Sequence, residues 1–405
     1  MSRALHDVIV LGVGGMGAAA LAHLAARSVR VVGIEQDDVP SLRGSSVGET
    51  RIIRKAYFED ARYVPLLHRA YALWTELERE RNEELFVRTG CLNLGPPSHP
   101  DIQGVLRSVE QHRLAHTRLD AEDVRRHFPA FTPSPSDVGV HEEDAGYLKV
   151  EACTRAHAEL AVARGAELRT RTTVTAVALD SDAVRVSVAG GDTFEAERLV
   201  VSAGAWLASP LLAGIARDLP ALTVTRQVQL WFRPRDEAIA RAPAMPAFIH
   251  FASDRAFYGV PLGDPLPCTP SEPGVKVCRH HGGERTTAQE LDRAPRPEDE
   301  GEVRQYLAAH LRNVDGPLVH RQVCMYTSTP DHHFIVGLHP RDPRVVILGG
   351  FSGHGYKMAS VMGEVAAELA IDGRTKLDIS LFQPARFRRA DRASAARAPS
   401  GRERG

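Results

Sequence analysis

The 405-residue chain is sparing with cysteine: five, at 91, 153, 268, 278 and 324, odd in number and without a CxxC pair. That pattern excludes a zinc knot and a disulfide framework. The adjacent pair His332-His333 lacks the one-turn spacing of helical metal ligands, so no metal is expected. Long apolar runs are missing as well, and none approaches the roughly 18 residues of a membrane span. Net charge is -1, so no global field draws the chain to nucleic acid or to an anionic membrane. The opening stretch MSRALHDVIVLG enters a strand-like run at once, without the apolar core and cleavage site of a signal peptide. A cytoplasmic protein is the expectation. Composition is that of an ordinary globular chain, and the length suits two domains or one large composite.

Against these absences the first segment is dense with signal. Asp7-Val8-Ile9-Val10-Leu11 is a buried-strand run leading straight into Gly12-Val13-Gly14-Gly15-Met16-Gly17. Ala18 to Ala26 is a strong helix former, and Val31-Val32-Gly33-Ile34-Glu35 is a second strand ending in an acid. In this βαβ setting the glycine spacing has a mechanism. Gly12 permits the tight turn, Gly14 lets a pyrophosphate approach the backbone, and Gly17 lets helix pack on strand. Glu35 is placed to bind a ribose hydroxyl, its bland alternative being a strand-end surface acid.

Further along, residues 60–82 alternate apolar and charged positions at helical spacing (Tyr63, Leu66, Ala70, Leu73, Leu77). A second nucleotide-domain block starts near Val150, with a helix over 156–163 and a strand over 167–177 that includes Val174. Val184 to Val188 before Gly190-Gly191-Asp192 is a hairpin signal. Val345 to Gly350 is another buried strand, followed by a helix from about Ser360 to Ala370. Residues 224–280 carry alternating, half-buried strands and a Pro-rich loop, in the manner of a mixed-sheet substrate domain. The expected division is 1–88, 147–222 and 325–388 as a discontinuous cofactor domain, with 89–146 and 223–324 as the substrate domain. The tail 389–405 is expected to be disordered.

A nicotinamide enzyme usually completes one continuous doubly wound domain. Here VSAGAW, Val201 to Trp206, and Gly349 to Gly355 are further glycine turns far along the chain, a spread that suits long FAD better than NAD. Four separated motifs in order then carry a family resemblance: SSVGETRIIRKAY from Ser45, VSAGAW, CMYTSTPDHHFIVG and GFSGHGYK. With these the chain resembles the monomeric sarcosine oxidase and N-methyltryptophan oxidase group of the D-amino-acid-oxidase-like flavoproteins, over residues 7 to about 385. The resemblance implies an α/β fold, a Rossmann-like FAD domain interleaved with a mixed-sheet α+β substrate domain. It also implies an oxidase of a secondary or cyclic amino acid: hydride passes to flavin, leaving an imine, and oxygen is reduced to hydrogen peroxide. Partners would be a small amine and O2, and the chain a monomer.

Residue roles follow from the same resemblance. Arg54 and Lys357 match the positions that hold the substrate carboxylate, a task suited to an arginine fork. Arg51, one turn earlier if this stretch is helical, matches a position beside the flavin ring. Ser45, Val174, Gly204, Gly353, His354, Gly355 and Lys357 fall at cofactor-binding positions. Lys276 matches a lysine that promotes reaction with oxygen, where a cation stabilises forming superoxide. A solvent-facing lysine on an alternating strand is its bland reading. Tyr258, His280 and Tyr326 match polar pocket residues, with His280 the natural carrier of pH dependence. Ile249 is the apolar pocket residue before them, with His250 an extra polar group. Taken alone, Cys324 reads as a buried thiol. In relatives the cysteine of this motif carries a thioether to the flavin 8-methyl group, which makes Cys324 the expected tether.

Two departures stand out. Where relatives commonly carry a histidine pair, the second position here is Val47, which cannot donate a hydrogen bond or carry charge. The loop Leu262 to Pro273 is longer than in sarcosine oxidases and lies between Tyr258 and Lys276. The rival expectation is a flavin-dependent dehydrogenase or tailoring oxidase acting on an imino-acid or amine intermediate of secondary metabolism.

Overall fold

The computed structural model describes residues 6–264 and 272–387. Cys268, the centre of the long loop at 265–271 and the tail 389–405 lie outside the described residues.

The strand His6–Leu11 pairs in parallel with Val31–Ile34 on one side and with Thr193–Val201 on the other. Thr193–Val201 in turn pairs in parallel with Val345–Gly349. Their carboxyl ends, Leu11, Ile34, Val201 and Gly349, therefore share one edge of an eight-stranded sheet. In open α/β sheets that edge is where ligands bind. The helix Gly15–Ala25 is buried nearly all round, because it packs on the sheet and against the helices Val150–Ala163 and Ala359–Asp372. Its run of alanines suits this: small side chains let three helices approach one another closely.

The strand expected over 167–177 is two strands, Glu167–Arg169 and Val174–Leu179. Between them Arg171 takes a positive φ of 50°, and Arg171 and Thr172 donate their amides to the carbonyls of Asp37 and Glu35. The chain thus turns across the end of Val31–Ile34 instead of continuing beside it.

A second, nine-stranded mixed sheet holds Cys91–Gly95, Val138–Glu142, Thr223–Phe232, Ala247–Ala252, Arg255–Val260, Val275–His280 and Leu318–Ser328, among others. One face, with Leu94, Leu230, Phe248, Phe257 and Val277, forms a core with the helix Gly301–His310. Side chains alternate along a strand. The opposite face therefore collects Tyr258 from Arg255–Val260, Lys276 and His280 from Val275–His280, and Cys324 and Tyr326 from Leu318–Ser328.

A small third sheet joins Thr50–Ile53 to Gly146–Lys149, which also pairs with Phe86–Arg88. Arg51 lies on a strand here, not on a helix. The run Thr50-Arg51-Ile52-Ile53 is rich in β-branched residues, which fit a pleated surface. Among the described residues no helix is long and apolar enough to cross a membrane.

Candidate active site

A long cleft runs along the carboxyl edge of the eight-stranded sheet. Gly12, Gly14, Glu35, Ser45, Arg51, Val174, Gly204, Tyr326, Gly353 and Gly355 all line it. The turn after the first strand is built for close approach. Gly12 has φ +87°, and a Cβ on Gly17 would stand 1.9 Å from the Gly12 carbonyl oxygen, so helix and turn touch only because position 17 is bare. Gly14 is different: a Cβ there would meet nothing within 4 Å, leaving its backbone open to the cleft. That open cradle at the start of a helix suits a pyrophosphate. Glu35 reaches back into the turn, where its Oε2 accepts from the Val13 amide at 2.8 Å and its Oε1 from Asp37 at 3.2 Å. Burial raises the Glu35 pKa, and those amides act in the opposite sense.

A smaller cavity of about 60 Å³ adjoins the cleft. Arg51, Tyr326, Gly353 and Tyr356 line both, so the two spaces share a wall. Ile52, Arg54, Phe58, Glu59, Ile249, Tyr258, His280, His354 and Lys357 complete the smaller cavity. Arg54 is 1% exposed, with Nη1 donating to the Ala56 carbonyl, Nη2 donating to Glu59 Oε2 at 3.2 Å, and the guanidinium over the rings of Tyr57 and Phe58. Its Nε is buried without a hydrogen-bond partner among the described residues. Burial works against its charge, yet Glu59 leads a set of groups that hold its pKa above the ordinary value. Lys357 Nζ donates to the His354 carbonyl at 2.7 Å. Burial first, and Arg54 second, push the Lys357 pKa down to about 7.

Glu59 sits between these cations. Burial alone would raise its pKa, but His354, Arg54 and Lys357 hold it below the ordinary carboxylate value. His354 Nε2 stands 2.9 Å from the His332 carbonyl, which can only accept, so Nε2 carries the proton. Its Nδ1 then accepts from the Tyr57 hydroxyl at 2.5 Å. Burial pushes the His354 pKa down to about 4, and this neutral tautomer is the form the contacts select. Across the cavity, His280 Nδ1 and the Tyr326 hydroxyl are 3.2 Å apart, and the Tyr258 ring meets His280 edge-on at 6.0 Å. Burial drives the His280 pKa well below its ordinary value, so it is neutral at pH 7.

The family that matches residues 7–369 is described as FAD dependent oxidoreductase. This chain belongs to it. A monomeric sarcosine oxidase of Streptomyces avermitilis is 38% identical over 385 residues, 94% of this chain and 98% of that protein. An N-methyl-L-tryptophan oxidase of Yersinia pestis is 34% identical, over 95% of this chain and all of its own length. Among solved structures NikD, an unusual amino acid oxidase essential for nikkomycin biosynthesis, superposes with TM-score 0.81 at 24% identity, over 94% of this chain and 98% of that one. The α/β two-domain architecture is thus that of the family, and the cleft residues fit its FAD.

Within this flavoenzyme the sequence-derived residues divide into three groups. Those at glycine turns line the cleft, apart from Gly17, which packs beneath it. Arg54, Lys357, His354, Tyr258, His280 and Tyr326 surround the smaller cavity, with His354 and Lys357 there and not in the cofactor cleft. Cys324 and Lys276 line neither: they stand on the same sheet face, buried behind the shared wall. Lys276 is 1% exposed, so it does not face solvent. Its Nζ donates to the carbonyls of Gly48 at 2.6 Å and Thr50 at 3.1 Å, and burial, then Arg51, push its pKa down to about 8. His250 is not a pocket group. One residue on from Ile249 along the strand, it turns to the opposite face, where its Nδ1 is 3.0 Å from the Tyr306 hydroxyl. Glu59 was not anticipated. Nothing in its local sequence marks it, beyond an acid five residues after Arg54.

Proposed function

We propose that this flavoenzyme oxidises the C–N bond of a small secondary amino acid, N-methyl or cyclic, to an imine, with oxygen reduced to hydrogen peroxide. The observation that carries the reading is the shared wall. A cavity holding two buried cations, Arg54 and Lys357, opens directly beside the FAD cleft. FAD, when bound, supplies the hydride acceptor and passes the electrons on to oxygen.

The chain's own residues then divide the work. Arg54 and Lys357 bind the substrate carboxylate, which takes over the charge that Glu59 supplies in its absence. That fixes the amine end toward Tyr326, Tyr258 and His280. These groups are uncharged at neutral pH, so an amine that has left its proton in solvent and binds in the neutral form leaves no ion unpaired, and its lone pair assists hydride loss. Lys276, with Arg51 beside it, supplies the positive charge that favours electron transfer to oxygen. A cavity of about 60 Å³ favours a substrate with little side chain. The names of the relatives, a sarcosine oxidase and an N-methyl-L-tryptophan oxidase, support the N-methyl amino-acid class.

Three finer readings go with it. Cys324 carries the flavin by a thioether, supported by its place two residues before the shared-wall residue Tyr326 on the same face. The enzyme is a monomer, as the name of its Streptomyces relative suggests. It works in the cytoplasm, a setting that suits four free, buried cysteines among the described residues. The test is a peroxide assay with sarcosine, N-methyltryptophan, proline and pipecolate on the purified, yellow protein. Bleaching without air and peroxide on readmission are expected with at least one; no turnover with any of them overturns the substrate class. In the same preparation Cys324→Ala should let acid precipitation release a flavin that the parent protein retains.

A further inference from the structure

Val47 offers no polar side chain to the loop that leads into Arg51, and the group that holds its backbone lies on a strand 182 residues away. Besides the adjoining Arg51, four side chains from other elements hold the segment 47–50. Glu151 Oε1 accepts from the amides of Gly48 at 2.7 Å and Glu49 at 3.2 Å. Trp231 Nε1 donates to Glu49 Oε2 at 2.7 Å, and Lys276 donates to two of the segment's carbonyls. The fourth is Gln229, on Thr223–Phe232 and 1% exposed. Its Nε2 donates to the Val47 carbonyl at 3.1 Å while its Oε1 accepts from Arg51 Nη1 at 3.3 Å. The amide lies so close to the backbone that a Cβ on Gly48 would stand 2.4 Å from Gln229 Oε1.

An amide is a neutral side chain that donates and accepts at once, which is what a carbonyl and a guanidinium side by side require. The remaining partners of Arg51 are the carbonyls of Thr50 at 2.8 Å, Ser45 at 2.8 Å and Val47 at 2.7 Å. Every oxygen that holds Arg51 is therefore uncharged. We propose that Gln229 is a positioning residue: it ties Arg51, which has no carboxylate in hydrogen-bonding contact among the described residues, to the Val47 carbonyl and so fixes it in the wall between the two cavities. The inference rests on the reading that Arg51 stands beside the flavin ring. A cation held there favours every state in which the ring gains negative charge.

Sulfite, an anion that adds to electron-poor flavin, reports that charge without turnover. The FAD-loaded protein is titrated with sulfite and the loss of flavin absorbance followed. Gln229→Met keeps the length and removes both hydrogen bonds; Gln229→Glu keeps the acceptor and places a negative charge on Arg51. Sulfite affinity should fall about tenfold in the first and further in the second, at unchanged FAD content and circular dichroism. In an Arg51→Lys background, adding Gln229→Met should cause little further loss. Affinity within twofold of the parent in both single variants overturns the proposal, as does full additivity with Arg51→Lys. Should the methionine variant fail to fold, Gln229→Glu alone decides, by the same two criteria. A parent protein that bleaches with sulfite yet oxidises no amine would defeat the proposed reaction and leave this result standing.

Discussion

Two Arg–Lys pairs flank the wall between the cavities, all buried but the half-buried Arg51, and they are finished differently. Arg54 and Lys357 have a resident carboxylate: Glu59 Oε2 is 3.2 Å from Arg54 and is held below its ordinary pKa in part by Lys357. Among the described residues Arg51 and Lys276 have none in hydrogen-bonding contact. Their partners are the backbone carbonyls of Ser45, Val47, Gly48 and Thr50, the Thr50 hydroxyl and the Gln229 amide. The same two residue types therefore serve two tasks. A pair whose charge is matched in the resting protein can exchange one carboxylate for another at little electrostatic penalty. A pair whose hydrogen bonds go only to uncharged groups, with Glu49 and Glu151 acting from further off, keeps more of its positive field for charge that develops later.

The comparison breaks most visibly at Arg54. Arg54→Met removes the proposed partner of the substrate carboxylate and leaves Glu59 in a buried site without its arginine. Truncating one member of a buried charge pair costs about 2–5 kcal/mol, so kcat/KM should drop by about a thousandfold, chiefly through KM. Steady-state kinetics with the best amine decide it; a fall below tenfold would mean that Lys357 alone binds the carboxylate. Lys276→Met comes next. The rate at which oxygen reoxidises the reduced enzyme should fall about a hundredfold, the scale of losing one preorganised electrostatic partner. Anaerobic reduction by substrate should change only a few-fold. Stopped-flow measurement of the two half-reactions separates them, and equal slowing of both would assign Lys276 to substrate binding instead.

What the sequence disclosed of these two regions follows from distance along the chain. The turn Gly12–Gly17 and the acid at Glu35 are contiguous, and each residue's task is set by neighbours within one βαβ unit. Lys276 and His280 are legible too, since positions four apart on a strand share a face. The same parity separates His250 from Ile249, which a list of nearby polar residues overlooks. Gln229 is another matter: it meets Val47 and Arg51 only because Thr223–Phe232 runs beneath a loop from the other end of the fold. Arg51 and Arg54 look like successive turns of a helix, but Ile52 and Ile53 favour the strand that pairs with Gly146–Lys149. Glu59 becomes meaningful only once Arg54, His354 and Lys357, the last two some 300 residues away in sequence, enclose it.

The smallest expected effect is the most discriminating, because it moves one pair and not the other. Lys357 carries a pKa of about 7 and Lys276 one of about 8, both lowered first by burial and next by the neighbouring arginine. Each lysine is charged below its pKa. Binding of a carboxylate ligand should therefore weaken as pH rises through about 7, whereas the oxygen reaction should slow only as pH rises through about 8. Glu59 raises the Lys357 pKa and is absent from the groups that act on Lys276. In Glu59→Gln the first limb should shift to lower pH, and the second should stay where it is. At pH 6, where Lys357 remains largely protonated, the same variant should bind a simple carboxylate inhibitor a few-fold more tightly, since no resident carboxylate competes for Arg54. Inhibitor titrations from pH 5.5 to 9, followed by flavin absorbance alongside reoxidation rates, read both limbs in one protein. Movement of both limbs together would show that the two cation pairs titrate as one network, and the division of tasks between them would fall.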